Sequence, residues 1–383
     1  MHQRHALLCT AGTSLLETNL SRLPHVPFEL PPRWEALKEA LDAGQWHRLA
    51  RELLQIDPMH RLCGAEINTV QESIQRGRVA LRHLIFLVSD TERGRQTGEV
   101  LTHYFRARRD LHLQTVEYDV VEGLQDADPK RFRSQGLRNL VRRIGHWVRH
   151  FGREYVAIDA TGGYKAQIAV AVLLGQAMDL PVFYKHERFN QIIDFPPLPV
   201  TFDWEVLAQH ADLLHLLVRG ELLSRDEMGD FDERLLVLLN EVEVDGQLLY
   251  ELSATGQVYL EAFWVRYPRA PHLTPAENRE PPRLRSHQYP AGLEKHLYRI
   301  WEQNDWITRI YALDYSGQQG IRGVRFRVQK QGDTSLLVGT YRDHKGFGAR
   351  FAIRLSDEAP ENLAWAAEYL NRCYGDLPPE DSQ

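Results

Sequence analysis

The first half of the sequence predicts an α/β fold with a parallel sheet. Short apolar segments at 5–10, at 84–88 and in "EYVAIDA" are each followed by a polar turn and then by a helical pattern. Strands that alternate with amphipathic helices are typical of βαβ units, in which neighbouring strands run parallel. In such sheets, ligands bind at the carboxyl ends of the strands, where these three turns lie. We therefore expect a binding site along that edge.

The third turn carries the strongest chemical signal. "TGGYK", residues 161–165, places two adjacent glycines and a lysine between a strand and a helix. Gly162 and Gly163 allow positive φ and a close approach of the backbone to a ligand. The start of the next helix favours an anion, Lys165 adds positive charge and Thr161 adds a hydroxyl donor. The turn therefore predicts a phosphate site, with a plain tight turn as the alternative. It fits neither the GxGxxG nor the Walker pattern, which disfavours NAD and ATP.

Composition excludes several protein classes. The chain has 383 residues, of which 26% are charged, and its formal net charge is −6, so the chain as a whole is not a basic nucleic-acid binder. Its three cysteines lack metal-ligand spacing, which indicates neither a disulfide framework nor a zinc site. No apolar run is long enough to span a bilayer, and the first residues are too polar for a signal peptide. We expect a cytoplasmic protein without a bound cofactor or metal.

The stretches "LLCTAGTSLLETNL" and "DATGGYKAQIAVAVLLGQAMDLPVFYKHERFNQIIDFPPLPV" resemble the CRISPR-associated Rossmann-fold (CARF) sensor domains of type III CRISPR systems. The resemblance implies a Rossmann-like domain at 1–200 that binds a cyclic oligoadenylate, with the tetramer as the expected ring, across a homodimer interface. A ligand with two-fold symmetry and several phosphates suits a dimer that presents each anion-binding turn twice. The ligand-binding residues carried over are Thr13, Ser14, Asn19, Ser89, Asp90, Thr91, Thr161, Gly162, Gly163 and Lys165.

Two other features of this region have a structural interpretation. Asp159 ends its strand and is a candidate structural carboxylate. Residues 26–80 interrupt the α/β pattern, and "RWEALKEALDAGQWHRLARELLQID" has helical periodicity. This predicts a packed helical insertion after the first turn.

Residues 201–266 follow as a predicted connector. Amphipathic segments there precede "NEVEVDGQLLYELSATGQ", which resembles the end of a winged helix with Asp245-Gly246 as the hairpin turn. Acidic residues around that turn would repel a phosphate backbone. We therefore expect a connecting or dimerising role rather than DNA recognition. Residues 267–286 are rich in proline and predict a linker.

The last segment, 287–383, predicts a small α+β domain with a basic face. From Arg283 to Arg354 there are about twice as many Lys and Arg as Asp and Glu. The strand "GVRFRVQ" alternates apolar residues with Arg325 and Arg327, and "ARFAIRL" alternates them with Arg350 and Arg354. Arginines this dense on one face repel one another unless a polyanion lies there, which predicts a nucleic-acid backbone. A solvated sheet face is the alternative.

The order of a helix, antiparallel strands and a final helix is similar to the RelE family of mRNA interferases. The resemblance implies metal-independent cleavage of ribosome-bound mRNA, in which Arg and Lys stabilise the scissile phosphate while the 2′-OH attacks in line. Arginine stays protonated, so a general acid or base would come from another residue, and His344 has the most suitable ordinary pKa. We expect Tyr341, His344 and Lys345 near a turn. The candidate catalytic residues are Arg325, Arg327, Lys330, Tyr341, Arg342, His344, Lys345, Arg350 and Arg354.

Together these patterns predict a ribonuclease of CRISPR antiviral defence that a cyclic oligoadenylate activates. Three alternatives stay open. Asp333 with Asp343-His344-Lys345 fits the D…DxK pattern of a metal-dependent PD-(D/E)xK nuclease. The winged-helix-like segment suits a ligand-controlled transcription regulator. The CARF-like domain itself is a candidate for cleaving its cyclic ligand, because bound 2′-OH groups need only in-line positioning.

Overall fold

The computed structural model describes residues 4–185, 191–200, 202–270, 272–284, 289–316, 323–332, 334–343 and 346–375. The chain divides into two units, one of Met1–Thr201 with Gln257–Arg266, the other of Phe202–Gly256 with Tyr267–Gln383. The predicted connector and the predicted C-terminal domain thus lie largely in the same unit, while the division into four domains stays a prediction. Among the described residues, no helix combines the length and apolar composition needed to cross a bilayer.

The first unit contains a six-stranded sheet. Its strands are β1 (Ala6–Thr10), β2 (His83–Ser89), β3 (Thr115–Val121), β4 (Val156–Asp159), β5 (Val182–Lys185) and β6 (Ile192–Phe195). The order in space is β3-β2-β1-β4-β5-β6, and every neighbouring pair is parallel except β5 with β6. The predicted parallel α/β sheet is confirmed, and its topology is compatible with a Rossmann-like fold. The chain changes sides of the sheet between β1 and β4, which is where such folds bind ligands.

Helices lie between these strands, and some come from the predicted insertion. They are α1 (Trp34–Asp42), α2 (Trp46–Leu53), α3 (Gly64–Gln75), α4 (Glu92–Ala107), α5 (Pro129–Arg131), α6 (Leu137–Phe151) and α7 (Lys165–Met178). The insertion is helical as predicted, and Leu37, Leu49 and Val70 belong to the same buried cluster as Phe86 of β2. The segment after the first turn is helical as expected, although it is a π-helix, Leu15–Leu20.

The second unit begins with short helices and a small antiparallel sheet. The helices are α8 (Glu205–Gln209), α9 (Ala211–Val218), α10 (Arg225–Met228) and α11 (Ala254–Arg266), and the strands are β7 (Leu223–Ser224), β8 (Leu239–Val244) and β9 (Gln247–Leu252), in the order β7-β9-β8. The predicted hairpin turn is confirmed: Asp245 and Gly246 have φ of 51° and 77° between the paired residues Val244 and Gln247. α11 belongs to this unit up to Gly256 and to the first unit from Gln257 onward.

The rest of the second unit is a four-stranded antiparallel sheet with two helices. Its strands are β10 (Ile307–Ser316), β11 (Gly323–Gln331), β12 (Thr334–Arg342) and β13 (Gly348–Leu355), in the order β10-β13-β12-β11, and its helices are α12 (Leu293–Gln303) and α13 (Pro360–Tyr374). The predicted alternation is confirmed, since the apolar positions of β11 and β13 are buried. Phe326 and Phe351 meet edge to face with centroids 6.0 Å apart, on either side of Gly339. A Cβ on Gly339 would lie 2.2 Å from the Phe351 ring, so this position requires glycine.

Much of the segment predicted as a linker is hydrogen-bonded to β10. Backbone N–H groups of Ala276, Glu280 and Arg283 donate to carbonyls of Asp305, Thr308 and Ile310 at 2.9–3.0 Å. The guanidinium of Arg279 donates to the carbonyl of Ile307 and lies 4.2 Å from the centroid of the Trp301 ring. We call residues 276–284 the strap. The proline content of this segment correctly indicated that it lacks the periodicity of a helix or a strand. It did not predict that the segment pairs with β10.

At the other edge of the sheet, a side chain of α13 is hydrogen-bonded to the backbone of β11. Asn371 of α13 is buried, its Oδ1 accepts from Phe326 N at 2.9 Å and its Nδ2 donates to Phe326 O at 2.7 Å. One asparagine thereby satisfies both backbone groups of an edge-strand residue, which would otherwise stay unpaired.

We expect Asn371→Ala to destabilise the second unit by roughly 2–4 kcal/mol, because it leaves a buried N–H and a buried C=O without partners. Cys373→Ala, an exposed position in the same helix, is the control and should change stability little. The measurement is urea unfolding of both variants. An Asn371→Ala curve that coincides with the control would show that this contact contributes nothing.

Candidate functional site

The candidate site of the first unit lies at the carboxyl ends of β1 and β4, where two turns approach each other closely. Thr10 Oγ1 donates to the carbonyl of Gly162 at 2.6 Å, which ties the end of β1 to the glycine turn. A Cβ on Gly162 would lie 2.7 Å from Thr10 O and 2.8 Å from Gly12 N. Gly163 has φ of 93°, in the left-handed region that favours glycine. Both glycines are therefore needed by the geometry of the turn itself.

A cavity of about 690 Å³ opens above these turns. All but two of the predicted ligand-binding residues line it, namely Thr13, Ser14, Ser89, Thr91, Thr161, Gly162, Gly163 and Lys165. They come from the ends of β1, β2 and β4, so the fold brings together turns that are far apart in the sequence. The exposed side chain of Lys165 is at the first residue of α7, where helix N-termini favour anions.

The two remaining predicted residues lie elsewhere. Asn19 lines an adjoining cavity of about 240 Å³, where its Nδ2 donates to the carbonyl of Arg61 at 3.1 Å. The Asp90 carboxylate accepts from Gly123 N at 3.1 Å and pairs with Arg95 at 2.5 Å. Asp90 therefore holds the turn after β2 together rather than lining the cavity.

The hydroxyl groups of the first two turns have different local roles. Thr91 caps α4, because its Oγ1 accepts from Gly94 N at 2.9 Å, and Ser89 Oγ lies 2.9 Å from the same Thr91 atom. The hydroxyls of Thr13 and Ser14 do not cap the helical segment that follows β1. Thr13 Oγ1 donates to the Glu17 carboxylate instead, and Ser14 makes no capping hydrogen bond because its backbone is already helical.

Six charged residues that line this cavity were not foreseen from the sequence, namely Glu17, Glu66, Glu92, Arg93, Asp126 and Lys185. Glu66 of α3 is buried, and its Oε1 accepts from Gly12 N at 2.9 Å. Lys185 ends β5, and its Nζ lies 2.6 Å from the buried Glu72 of α3. The position of Lys185 at a strand end was a signal that sequence reasoning could have used. No sequence pattern distinguished Glu66 or Glu72 from other glutamates in a helix. Their role depends on the packing of α3 against the sheet.

Asp159 has the structural role proposed for it. Its Oδ1 accepts from both the backbone N (3.1 Å) and Oγ1 (2.5 Å) of Thr161, and Thr161 Oγ1 in turn accepts from Lys185 N at 3.0 Å. Burial raises the pKa of the Asp159 carboxyl to about 7, an effect that the hydrogen bonds from Thr161 oppose. The carboxyl thus sets the orientation of the β4 turn from below the cavity.

In the second unit, the predicted arginines do share one face of the four-stranded sheet. Arg325 pairs with Thr340, which pairs with Arg350, and residues opposite each other point to the same side. Arg327 pairs with Val338, which pairs with Ala352, so Ala352 also lies on this face. Alternate residues of a strand point to the same side, so Arg354, two residues after Ala352, lies there as well. Lys330 has the opposite parity on β11. It projects from the other side of the strand.

The charges on this face are largely balanced within the second unit, and the argument that they require a polyanion is wrong. The partners of the arginines are the carboxylates of Asp212 for Arg327 (3.8 Å), Asp314 for Arg350 (3.2 Å) and Glu358 for Arg354 (2.6 Å), while Arg325 donates to the carbonyls of Val324 and Gly375. Nearby carboxylates offset the repulsion between the arginines, and α9 supplies one of them. On the other side of β11, Lys330 pairs with Glu205 of α8. A polyanion would have to compete with these partners.

Tyr341 and Arg342 are the last two residues of β12, directly before the turn that follows Asp343, so Tyr341 lies near a turn as expected. Neither side chain is open to solvent. The Tyr341 side chain is buried against His296 and its hydroxyl donates to the carbonyl of Ala291 at 2.8 Å. Burial raises the pKa of Tyr341 and lowers that of the equally buried Arg342. The raised pKa makes the Tyr341 hydroxyl a weaker proton donor to a substrate.

His344 and Lys345 lie outside the described residues, as does Asp333 of the alternative metal-dependent pattern. Within the ranges that the structure describes, no three His, Cys, Asp or Glu side chains come together in a way that would hold a metal ion.

Residues 61–198 match the model of a family described as CRISPR-associated protein (Cas_APE2256). The matched region includes α3, the Gly162–Gly163 turn and Lys165, and therefore much of the wall of the cavity. No curated protein matches the chain. The match supports an assignment to the CRISPR-associated proteins.

We expect Asp159→Asn to stabilise the protein at neutral pH, since Asn keeps an acceptor for Thr161 and removes the cost of burying a charge. With a folded pKa of about 7 and an ordinary pKa of about 4 in the unfolded chain, the folded state holds an extra proton between these values. The free energy of unfolding of the original chain therefore falls as the pH rises from about 4 to about 7, by roughly 2–4 kcal/mol.

Urea unfolding at several pH values measures this difference. The gain from Asp159→Asn should be absent near pH 4 and complete above pH 7. Asp179→Asn, at a largely exposed carboxylate, is the control and should follow the original chain. Parallel pH dependence of the original chain and Asp159→Asn would rule out a buried, protonated carboxyl.

Proposed function

We propose that this chain is a nuclease of CRISPR antiviral defence in which the first unit binds a cyclic oligoadenylate and the second unit cuts RNA in response. One observation carries the proposal. The polar cavity at the point where the sheet changes sides is lined by the glycine turn and Lys165, and it lies largely in the region that matches a CRISPR-associated family.

The chemistry of the cavity suits a phosphate-containing ligand. Gly162 and Gly163 bring backbone close to the opening, and Lys165 supplies an exposed positive charge at the start of α7. A cyclic oligoadenylate presents several phosphates with two-fold symmetry, with the tetramer as the favoured ring. A homodimer would therefore offer it two copies of the same set of groups. The CARF-like assignment of this unit rests on this fit.

For the second unit we propose metal-independent, RelE-like cleavage of mRNA. Arg350, Arg354 and Arg327 share a face from which they could stabilise the extra negative charge of a phosphate under attack by a 2′-OH, after exchange of their carboxylate partners. The helices and hairpin from α8 to α11 would serve as a winged-helix-like connector. His344 and Lys345 are the proposed source of the general acid or base.

The first test concerns the ligand. Lys165→Ala should weaken binding of cyclic tetra-adenylate by about 10- to 100-fold, because a charge-assisted hydrogen bond to phosphate is lost. The matched control is Lys130→Ala, an exposed lysine of the same unit that does not line the cavity. Isothermal titration calorimetry on the purified chain gives both affinities. Equal affinities in the two variants would remove Lys165 from the site, and no heat with any ring would reject the sensor function.

The second test concerns the reaction. Translating ribosomes are incubated with the protein and each cyclic oligoadenylate, with and without EDTA, and the mRNA ends are mapped. We expect cleavage that depends on the ring and persists in EDTA, since arginines replace metal ions as the stabilising charge. Cleavage abolished by EDTA would favour the PD-(D/E)xK alternative. If the mRNA stays intact with every ring, the nuclease proposal is rejected; a ring converted to linear product in the same samples would place the activity in the first unit.

A further inference from the structure

A basic groove lies in the second unit, between the strap and the end of β13. Its volume is about 730 Å³, and its polar lining comes from Arg283 of the strap, Thr308, Arg309 and Tyr311 of β10, and Arg354 of β13. Of these residues only Arg354 was a candidate from the sequence. The other residues were expected in a linker or in a strand without an assigned function.

The groove is held in shape by backbone pairing. Arg283 N donates to Ile310 O at 3.0 Å, and Arg283 forms a parallel bridge with Tyr311. Thr308 Oγ1 donates to Arg354 O at 3.0 Å, which connects the floor across β10 and β13. The Arg279 anchor fixes the strap four residues before Arg283. The arginines of the groove therefore come from three segments whose backbones are hydrogen-bonded to one another.

The charge of the groove favours an anion. Glu280 lies 3.1 Å from Arg283 and 3.6 Å from Arg309, and Glu358 lies 2.6 Å from Arg354. Among the residues that the structure describes, three guanidinium groups thus share two carboxylates. The arginine side chains are 43–64% exposed. Ion pairs at this exposure contribute little, so a phosphate can replace them readily.

Tyr311 gives the groove a stacking surface. The Arg309 guanidinium lies 5.6 Å from the centroid of its ring. Behind it, Leu336, Val338 and Ala352 form a buried cluster against which Tyr311 packs. An aromatic ring next to arginines is the arrangement that holds an unpaired base and its phosphate. A protein ligand with acidic side chains would use the arginines and leave the ring without a function.

We propose that this groove binds a single-stranded segment of the RNA substrate, with phosphates on Arg283, Arg309 and Arg354 and a base stacked on Tyr311. The inference rests on the proposed function of the second unit and deepens it. Arg354 becomes a binding residue, and the candidate RNA surface extends from the arginine face of β11 and β13 to the strap.

The test measures binding of a short fluorescent single-stranded RNA, 2′-O-methylated throughout so that it cannot be cut, to the full-length protein by anisotropy over a range of salt. Arg309→Ala should weaken binding about 5- to 20-fold and lower the slope of log Kd against log salt by about 0.7. Arg309→Lys should restore most of the slope. Tyr311→Leu should weaken binding about 5- to 100-fold and leave the slope unchanged.

Arg269→Ala, at an exposed arginine of the same unit outside the groove, is the control for charge. Thermal unfolding midpoints equal to that of the original chain exclude misfolding. If Arg309→Ala and Tyr311→Leu bind RNA like the control while ring-dependent cleavage persists, the groove inference is wrong and the proposed function stands. Tighter binding of duplex RNA, or full displacement of RNA by an acidic peptide, would also overturn the inference. Failure of the original chain to bind or cut any RNA would instead reject the proposed function.

Discussion

The candidate sensor site depends on the close approach of two backbone turns at the centre of the parallel sheet. The turn after β4 lies so near the end of β1 that a Cβ on Gly162 would overlap Thr10 O and Gly12 N. The hydrogen bonds from Thr10 Oγ1 to Gly162 O and from Gly12 N to Glu66 then fix the approach. The predicted ligand residues of three strands surround one cavity because these turns meet at the point where the chain changes sides of the sheet.

The helical insertion is part of this construction. α3 supplies Glu66 to one turn and Glu72 to Lys185 at the end of β5. A buried ion pair such as Glu72–Lys185 is costly to break, because the remaining charge would have no partner. The insertion therefore fixes the position of Lys185 and balances its charge, although the periodicity of the insertion indicates only a helix that packs on the core.

In the second unit, too, charged side chains are paired with partners from distant parts of the chain. Arg327 and Lys330 of β11 meet Asp212 and Glu205, which come from helices more than a hundred residues earlier in the chain. The strap brings Arg283 beside Arg309 and leaves a groove with more guanidinium groups than carboxylates. Whether a surface favours a polyanion therefore depends on how many carboxylates lie beside its arginines. The number of arginines alone does not decide it.

The sequence by itself determined the features that depend on local pattern. The alternation of apolar strands and helices predicts the parallel sheet, the period of two in β11 and β13 predicts which side their arginines face, and Gly162–Gly163 predicts the tight turn between β4 and α7. Only the tertiary structure decided the rest. Tyr341 is buried because His296 of α12 packs against it, residues 276–283 are paired because β10 has an open edge, and Glu66, Lys185 and Asp212 acquire their roles through contacts between distant segments. Such contacts leave no local pattern, because the approach of two segments depends on the packing of the whole unit.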